Sequence, residues 1–233
     1  MGDDALCPMR DERLTLKIEK QPPLRKIVYE RLREAILTGA IPDGTKLYES
    51  KIAEDLGISR TPVREALHAL ERELLINAFD KVGYEVRDAD LEDLEEISEI
   101  RRTVETLALR KAISRIGEAE IRALEENLTE SQKAVADYNL DLFVQLDAQF
   151  HRIIAASSRR ERLIRMADTL RKEMHRFVNR TKLNYLLAQE SLRYHREIVG
   201  FLKAKDYGKA KRALNDHISH ARKEHHRALT HAP

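Results

Sequence analysis

Apolar residues recur at helical spacing over most of the 233-residue chain. Beyond about residue 88 the periodic segments are long, and no proline occurs between Pro62 and Pro233 to interrupt them. The pattern predicts six amphipathic helices, which cover the segments 88–113, 118–137, 139–157, 160–181, 185–204 and 206–227. We therefore expect this part of the chain to form an all-α six-helix bundle.

The segment from residue 21 to residue 87 has a different organisation. Its pattern predicts three shorter helices, in "PPLRKIVYERLREAIL", "YESKIAEDL" and "SRTPVREALHALEREL". Gly57-Ile58-Ser59 is too short a connection to do more than set the second and third helices at an angle. β-Branched and aromatic residues on both sides of Lys81-Val82-Gly83 then predict a small hairpin, although an irregular loop would also fit. Three helices followed by a hairpin indicate a winged helix-turn-helix.

Composition narrows the class of protein further. The length suits two modest domains, and charged residues make up 35% of the chain. No apolar run approaches the roughly 20 residues of a membrane span, and the polar N-terminus has no signal-peptide core. The single cysteine, Cys7, cannot form an intrachain disulfide, which fits a reducing compartment. We expect a cytoplasmic protein with no membrane association, in which residues 1–20 form a flexible tail and residues 88–92 a linker.

Net charge alone does not indicate nucleic-acid binding, so the positions of the charges must carry that prediction. The formal net charge is +2, and residues 21–87 contain 11 basic and 11 acidic residues. Arg60 and Arg64 lie four apart in the predicted third helix, where one shared face could read guanine edges in a major groove. In the alternative interpretation these arginines are solvated and pair with Glu65 or Glu71.

Neighbouring residues could complete a contact with DNA. The hydroxyl groups of Ser59 and Thr61 can hold phosphates at the start of the third helix. A glycine at the tip of the predicted hairpin, Gly83, would allow close approach to a DNA backbone or minor groove.

Ionisable residues also stand on apolar helix faces in the C-terminal segment. Asp147 and His151 lie four apart and share one face of a helix, while His195 and His217 each lie on the apolar stripe of another helix. Each could be an ordinary hydrogen-bonded core residue, but a shared cation would satisfy all four. Three imidazoles and one carboxylate suit Zn²⁺, Ni²⁺ or Mn²⁺. Three other histidines are expected at a solvated helix end, namely His220, His225 and His226.

The N-terminal segment resembles the DNA-binding domain of GntR-family bacterial transcription regulators. The resemblance covers residues from about 24 to 86, and "SRTPVREAL" is highly specific for that family. Two departures, Asp43 inserted in the usual Pro-Gly turn and Leu74 in place of a common glycine, lie in turns and leave the reading helix intact. The resemblance implies a set of DNA-contacting residues, namely Ser59, Arg60, Thr61, Arg64, Lys81 and Gly83.

The C-terminal segment resembles the FadR C-terminal (FCD) domain, a helical bundle that binds small effectors. The resemblance rests on "EIRRTVETLAL", "LDAQFHRIIAAS" and "YHREIVGFLKAKDYGKAKRALNDHI", and six helices fit the shorter VanR-like version. It implies a divalent metal held by Asp147, His151, His195 and His217. Small carboxylates are frequent effectors in the family. The candidates for binding one are Arg101, where the family often has a pocket-facing arginine, the adjacent Arg102, and Arg171, although each could instead be a solvent-facing charge.

Together these features predict a homodimeric transcription regulator, most often a repressor in this family, that binds a double-stranded operator. A small carboxylate effector bound at the metal would change operator binding by shifting the junction near residues 87–92. Two alternatives stay open from the sequence. The metal could serve a hydrolase, although no His-Glu-x-x-His helix is present. The bundle could instead serve only in dimerisation, with structural histidines.

Overall fold

A computed structural model describes residues 22–79, 83–181 and 184–231, and within them the fold is mostly α-helical. The N-terminal part contains three helices and three short strands. They are α1 (Leu24–Leu37), β1 (Lys46–Tyr48), α2 (Glu49–Leu56), α3 (Arg60–Arg72), β2 (Ile76–Phe79) and β3 (Gly83–Val86). Gly57 ends α2 in the left-handed region at φ +64°, a conformation that glycine adopts without steric cost.

The three strands form an antiparallel sheet in the order β1-β3-β2. Leu47 lies opposite Tyr84, and Ile76 lies opposite Val86. The hairpin of β2 and β3 confirms the expected wing, whereas β1 was not predicted because a three-residue strand carries too few positions to show alternation. This sheet and the apolar faces of α1 and α3 enclose the core of a winged helix-turn-helix.

The C-terminal part is a bundle of six helices. They are α4 (Leu91–Ala112), α5 (Glu118–Ala136), α6 (Leu140–Ser157), α7 (Glu161–Thr181), α8 (Tyr185–Lys203) and α9 (Tyr207–Thr230). Helix α4 begins at Leu91 because Asp90 and Asp93 form a reciprocal capping box, with Asp93 N–H donating to Asp90 Oδ1 at 2.8 Å. The helix therefore starts inside the segment that we expected to be a linker. None of the described helices is both long and apolar enough to cross a membrane.

The main core of the bundle lies where α4, α5, α6, α8 and α9 meet. It is built from buried side chains such as Leu109, Phe150, Ile198 and Leu214. Full burial of each such side chain contributes about 1.5–3 kcal/mol to folding. This core places the inward faces of α6, α8 and α9 side by side, so that polar residues on those faces must meet.

Helix α7 belongs to two interfaces. In the bundle it packs against α4, α6 and α9, and outside the bundle it also packs against α1 of the winged helix-turn-helix. Helix α7 therefore connects the bundle to the winged helix-turn-helix by direct packing.

Candidate functional site

The start of α3 presents a polar, exposed surface. Ser59 occupies the position before the helix, but its side chain makes no capping hydrogen bond, so its hydroxyl is free to meet a phosphate. Ser59, Arg60, Thr61 and Arg64 are all exposed. The opposite face of α3 is buried through Val63, Ala66, Leu67 and Leu70. The helix is therefore anchored on one side and open on the other, which is the geometry that a reading helix needs.

Arg64 has a partner that the sequence did not indicate. Its Nε and Nη2 donate to the carboxylate of Glu49 at 3.0 and 2.9 Å, whereas the expected alternatives were Glu65 and Glu71. Glu49 is buried at the start of α2, while the Arg64 side chain stays 56% exposed. Glu49 thus orients the guanidinium without covering it.

The two wing candidates have different outcomes. Lys81 lies outside the described residues, so its predicted DNA contact stays a prediction. Gly83 is not an open hairpin tip: it is buried in β3, where an added Cβ would lie 2.6 Å from Cζ of Phe79. The prediction that Gly83 lies at an exposed hairpin tip is therefore corrected. The absence of a side chain at this position leaves room for the Phe79 ring.

The four predicted metal ligands come together in the bundle. Asp147 and His151 lie on α6, His195 on α8 and His217 on α9, and one donor atom from each lies within 4.8 Å of the others. The Nε2 atoms of His151 and His217 are 3.2 Å apart, and His195 Nε2 is 3.4 Å from Asp147 Oδ1. A tetrahedral ion with donor distances of about 2.0–2.1 Å would separate its donors by about 3.3 Å. These two pairs therefore already have the donor spacing of a small divalent ion.

Several nitrogen atoms of this cluster lack hydrogen-bond partners among the described residues, as expected of groups that bind a cation. Within the described part of the chain, His195 is fully buried with no hydrogen-bond partner at either ring nitrogen, and Nδ1 of His217 has none either. Buried polar atoms of this kind are uncommon because each loses its hydration without a replacement. Both the chemistry of the donor set and these unsatisfied atoms indicate a bound metal cation.

The electrostatics keep the donors in the protonation states that a metal requires. Burial lowers the pKa of His195 to about 3 and lowers the pKa of His217 well below its ordinary range. Burial would raise the pKa of Asp147, but the Arg171 guanidinium and the three neighbouring histidines together outweigh burial and lower that pKa. The imidazoles are thus neutral and the carboxylate is ionised at physiological pH.

A second layer of charged residues surrounds the ligands. Glu105 of α4 accepts from His151 Nδ1 at 2.8 Å and from Arg101 Nε at 2.9 Å. Arg171 of α7 donates to Asp147 and lies 3.6 Å from Glu105. Glu105 was not singled out from the sequence. The available signal was an Arg and a Glu four apart on an otherwise apolar helix face, with Val104 and Ala108 as neighbours.

A small cavity of about 70 Å³ adjoins the cluster. Arg101 and Arg171 line it, as do Asp147 and His217. Arg102 does not line it. Its side chain lies on the exposed side of α4, 4.0 Å from Glu99, so its predicted effector role receives no support from the structure. The remaining wall is mostly apolar, formed by residues that include Phe143, Val144, Met174 and Leu187.

His225 departs from expectation. It is not at a solvated end but is buried, lines the same cavity and lies 2.7 Å from Thr181 Oγ1 through its Nδ1. Helix α9 extends to Thr230, so His225 stands within the helix and not at its frayed end. Burial lowers the pKa of His225 to about 4.

A winged helix-turn-helix joined to an all-α bundle is the architecture of a DNA-binding transcription regulator, and this protein belongs to that class. Comparison with known proteins gives the family. The chain belongs to the GntR family of bacterial regulatory proteins, whose family match spans residues 24–86, and it carries an FCD domain at residues 96–220. The resemblances found in the sequence are thereby confirmed.

Individual relatives agree with this assignment. The HTH-type transcriptional regulator YdhC of Bacillus subtilis is 30% identical over 207 residues, which cover 88% of this chain and 92% of YdhC. The HTH-type transcriptional repressor RspR of Escherichia coli is 28% identical over 208 residues, 88% of this chain and 91% of RspR. These relatives are transcription regulators and not enzymes, so the hydrolase alternative is set aside.

The solved structure of E. coli McbR/YncC shares the fold. It superposes with a TM-score of 0.76 at 23% sequence identity, covering 90% of this chain and all of that one. At this level of identity the likeness bears on the fold alone. The N-terminal winged helix-turn-helix and the C-terminal helical domain therefore occur in the same arrangement of elements in both proteins.

Proposed function

We propose that this transcription regulator binds a divalent metal ion through Asp147, His151, His195 and His217, and that a small carboxylate effector bound beside the metal modulates its affinity for an operator. The observation that carries the proposal is the convergence of four donor atoms within 4.8 Å in a buried site, with unsatisfied nitrogens on His195 and His217. Zn²⁺, Ni²⁺ and Mn²⁺ are the ions that suit this donor set.

The surroundings support a carboxylate as the effector. A metal with an open coordination position attracts a carboxylate, and Arg101 and Arg171 both line the adjoining cavity. Arg171 Nη1 is buried and has no hydrogen-bond partner among the described residues, which leaves a donor for a ligand oxygen. A cavity of about 70 Å³ favours a compact molecule. The rest of its lining is largely apolar, with Met174 and Leu187, and suits a short apolar substituent.

The DNA side of the proposal rests on α3. Ser59, Arg60, Thr61 and Arg64 form an exposed edge at its N-terminal end, where a helix in the major groove meets the bases and phosphates. We infer that two copies bind the two halves of a palindromic operator as a homodimer, with repression as the outcome. Lys81, near the wing, is a further candidate for a phosphate contact.

The proposal is tested with tag-free protein purified without chelators. Metal content measured by elemental analysis is expected to approach one ion per chain. DNA selected from a random pool by the purified protein supplies the operator, and its affinity is then measured at fixed salt with and without EDTA. A thermal-shift screen of small carboxylates on the metal-loaded protein should identify stabilising ligands. Protein that carries and binds no divalent metal would refute the metal proposal and favour a purely structural bundle.

A further inference from the structure

Glu105 is a buried acid that does not belong to the four candidate ligands but touches one of them. Its side chain is 6% exposed and its two oxygens divide their partners: Oε2 lies 2.8 Å from His151 Nδ1, while Oε1 accepts from Arg101 Nε at 2.9 Å and lies 3.6 Å from Arg171 Nη1. One carboxylate therefore contacts a candidate ligand and both cavity arginines.

We propose that Glu105 is a positioning residue that fixes His151 in the tautomer a metal needs and holds Arg101 and Arg171 at the cavity. An ionised carboxylate only accepts hydrogen bonds, so the nitrogen facing it, Nδ1, must carry the proton. The second nitrogen, Nε2, then presents a lone pair, and it is this atom that lies 3.2 Å from His217 Nε2 in the cluster. This proposal rests on the proposed metal site for its role, but the tautomer can be observed without metal.

The neighbouring charges keep Glu105 in the accepting state. Arg101 Nε donates to its carboxylate and Arg171 Nη1 lies 3.6 Å from it, so two guanidinium groups face this buried acid. Because Arg101 is on the same helix four residues earlier, the pair is fixed by the helix itself. Carboxylates behind ligand histidines commonly change metal affinity by 10–100-fold.

The test uses Glu105→Gln and Glu105→Ala in the full chain. The control is Glu125→Gln, because Glu125 also forms an ion pair between two helices, with Lys203, but at the surface. Nitrogen-15 NMR of metal-free protein should show Nδ1–H on His151 in the wild type and a shift toward Nε2–H in Glu105→Ala. Zinc affinity, measured by chelator competition, should fall 10–100-fold in Glu105→Ala and less in Glu105→Gln, whose amide oxygen can still accept.

Two failures are distinguishable. An unchanged His151 tautomer in folded Glu105→Ala would overturn the positioning role whether or not metal binds. A wild type that shows the Nδ1–H tautomer but binds no zinc would instead refute the proposed metal site and leave the assignment of Glu105 to His151 intact. Circular dichroism on each variant establishes that the helical fold is retained.

The C-terminal half of α7 contacts the N-terminal part of the chain. Three side chains on the turns after Arg171 contact the winged helix-turn-helix or the junction that follows it. Arg176 donates to Asp43 at 2.8 Å and to the backbone carbonyl of Arg87. Asn179 donates to the carbonyl of Leu37 at 3.2 Å, and Arg180 donates to the carbonyl of Ala89 at 2.7 Å.

Asp43 is the one acidic side chain among these acceptors, and it holds several partners at once. Besides Arg176, its carboxylate lies 3.6 Å from Arg180 Nη1 and accepts from the backbone N–H of Ala89 at 3.5 Å. Asp43 lies in the turn after α1, where the sequence departs from the family pattern. The extra acidic residue in that turn thus meets two arginines from the bundle and the junction between the two parts of the chain.

We propose that Asp43, Arg176 and Arg180 form a clamp that fixes the orientation of the winged helix-turn-helix on α7. Partly buried charge-assisted hydrogen bonds are stronger than exposed ones, and Arg176 is only 9% exposed. Since Arg171 lies five residues before Arg176 on the same helix, the clamp joins the cavity to the DNA-binding part through one rigid element. A ligand that displaced Arg171 would act on the orientation through this helix.

The clamp is tested by distance measurement with two spin labels. The background variant is Cys7→Ser, and labels are attached at Lys51→Cys in α2 and Arg122→Cys in α5, both exposed positions. Double electron–electron resonance, recorded with an excess of unlabelled chain, should give one narrow distribution. Asp43→Asn should broaden it, because the neutral amide loses the charge that both arginines share.

The matched control is Asp88→Asn, an exposed acid in the same junction. It should leave the distribution narrow. An equally narrow and unshifted distribution in Asp43→Asn would overturn the clamp. Repeating the measurement with zinc chloride separates this result from the metal proposal, since the clamp predicts broadening by Asp43→Asn with or without the ion.

Discussion

Arg171 of α7 and Asp147 of α6 form an ion pair at the edge of the four-residue cluster. The arginine binds Oδ2 of the carboxylate and leaves Oδ1 directed toward His195. One aspartate can therefore serve a metal with one oxygen and the arginine with the other. This arrangement gives Arg171 two separable duties, holding a candidate ligand and offering its remaining N–H groups to an effector.

Arg171→Gln should separate the two duties. We expect metal content to be largely retained, because the four donor groups remain, while affinity for the best carboxylate of the thermal-shift screen falls by about 10–100-fold. That loss corresponds to one charge-assisted hydrogen bond of about 1.5–3 kcal/mol. The measurement is calorimetric titration of metal-loaded protein. Arg102→Gln, on the exposed side of α4, is the control; equal carboxylate affinity in Arg171→Gln and wild type would contradict the role of Arg171.

Asp147→Asn should remove the metal. The amide is a poor ligand beside three imidazoles, and it also loses the ion pair with Arg171. Elemental analysis is expected to show a sub-stoichiometric ion content after dialysis. Asp141→Asn, on an exposed position of the same helix, should bind metal like the wild type. If Asp147→Asn retained a full equivalent, Asp147 would not be a ligand.

Much of this architecture could be predicted from the sequence because its elements are long and periodic. Six amphipathic segments without proline predicted the bundle helices. The "SRTPVREAL" segment at the start of α3 predicted the helix that enters the DNA groove. The convergence of His151, His195 and His217 followed from their positions on apolar stripes, since those stripes must meet in one core.

What the sequence could not supply were the contacts that depend on tertiary distance. Glu49 is 15 residues before Arg64, and only the angle between α2 and α3 brings them together. The contact between Asp43 and Arg176 spans 133 positions and has no local signal. Gly83 was misplaced for a different reason: the register of β2 and β3, which sets Phe79 opposite Gly83, could not be read from the sequence.

The pairing of Arg64 with Glu49 leads to a prediction about DNA. Arg64→Ala should weaken binding to the selected operator by about 1–3 kcal/mol, the usual value of one bidentate base contact. Glu49→Gln should have a smaller effect, since the guanidinium keeps its position at the exposed edge and only loses an orienting partner. Binding is measured at one salt concentration. Arg72→Ala, at the exposed far end of α3, is the control, and an unaltered affinity in Arg64→Ala would rule out its contact with bases.

His225 predicts a pH dependence of stability. Its pKa is lowered by burial from 6.5 to about 4, so between these values the unfolded chain takes up a proton that the native chain does not. The free energy of unfolding should therefore fall as the pH drops from about 6.5 to 4, by roughly 3 kcal/mol at most from this residue. Urea unfolding at pH 7 and pH 5, in chelator so that no metal holds the other histidines neutral, measures the difference. His225→Gln should shrink the acid loss relative to wild type, whereas exposed His231→Gln should not. A His225→Gln variant with the full wild-type loss would mean that His225 is protonated as readily in the native state as in the unfolded chain.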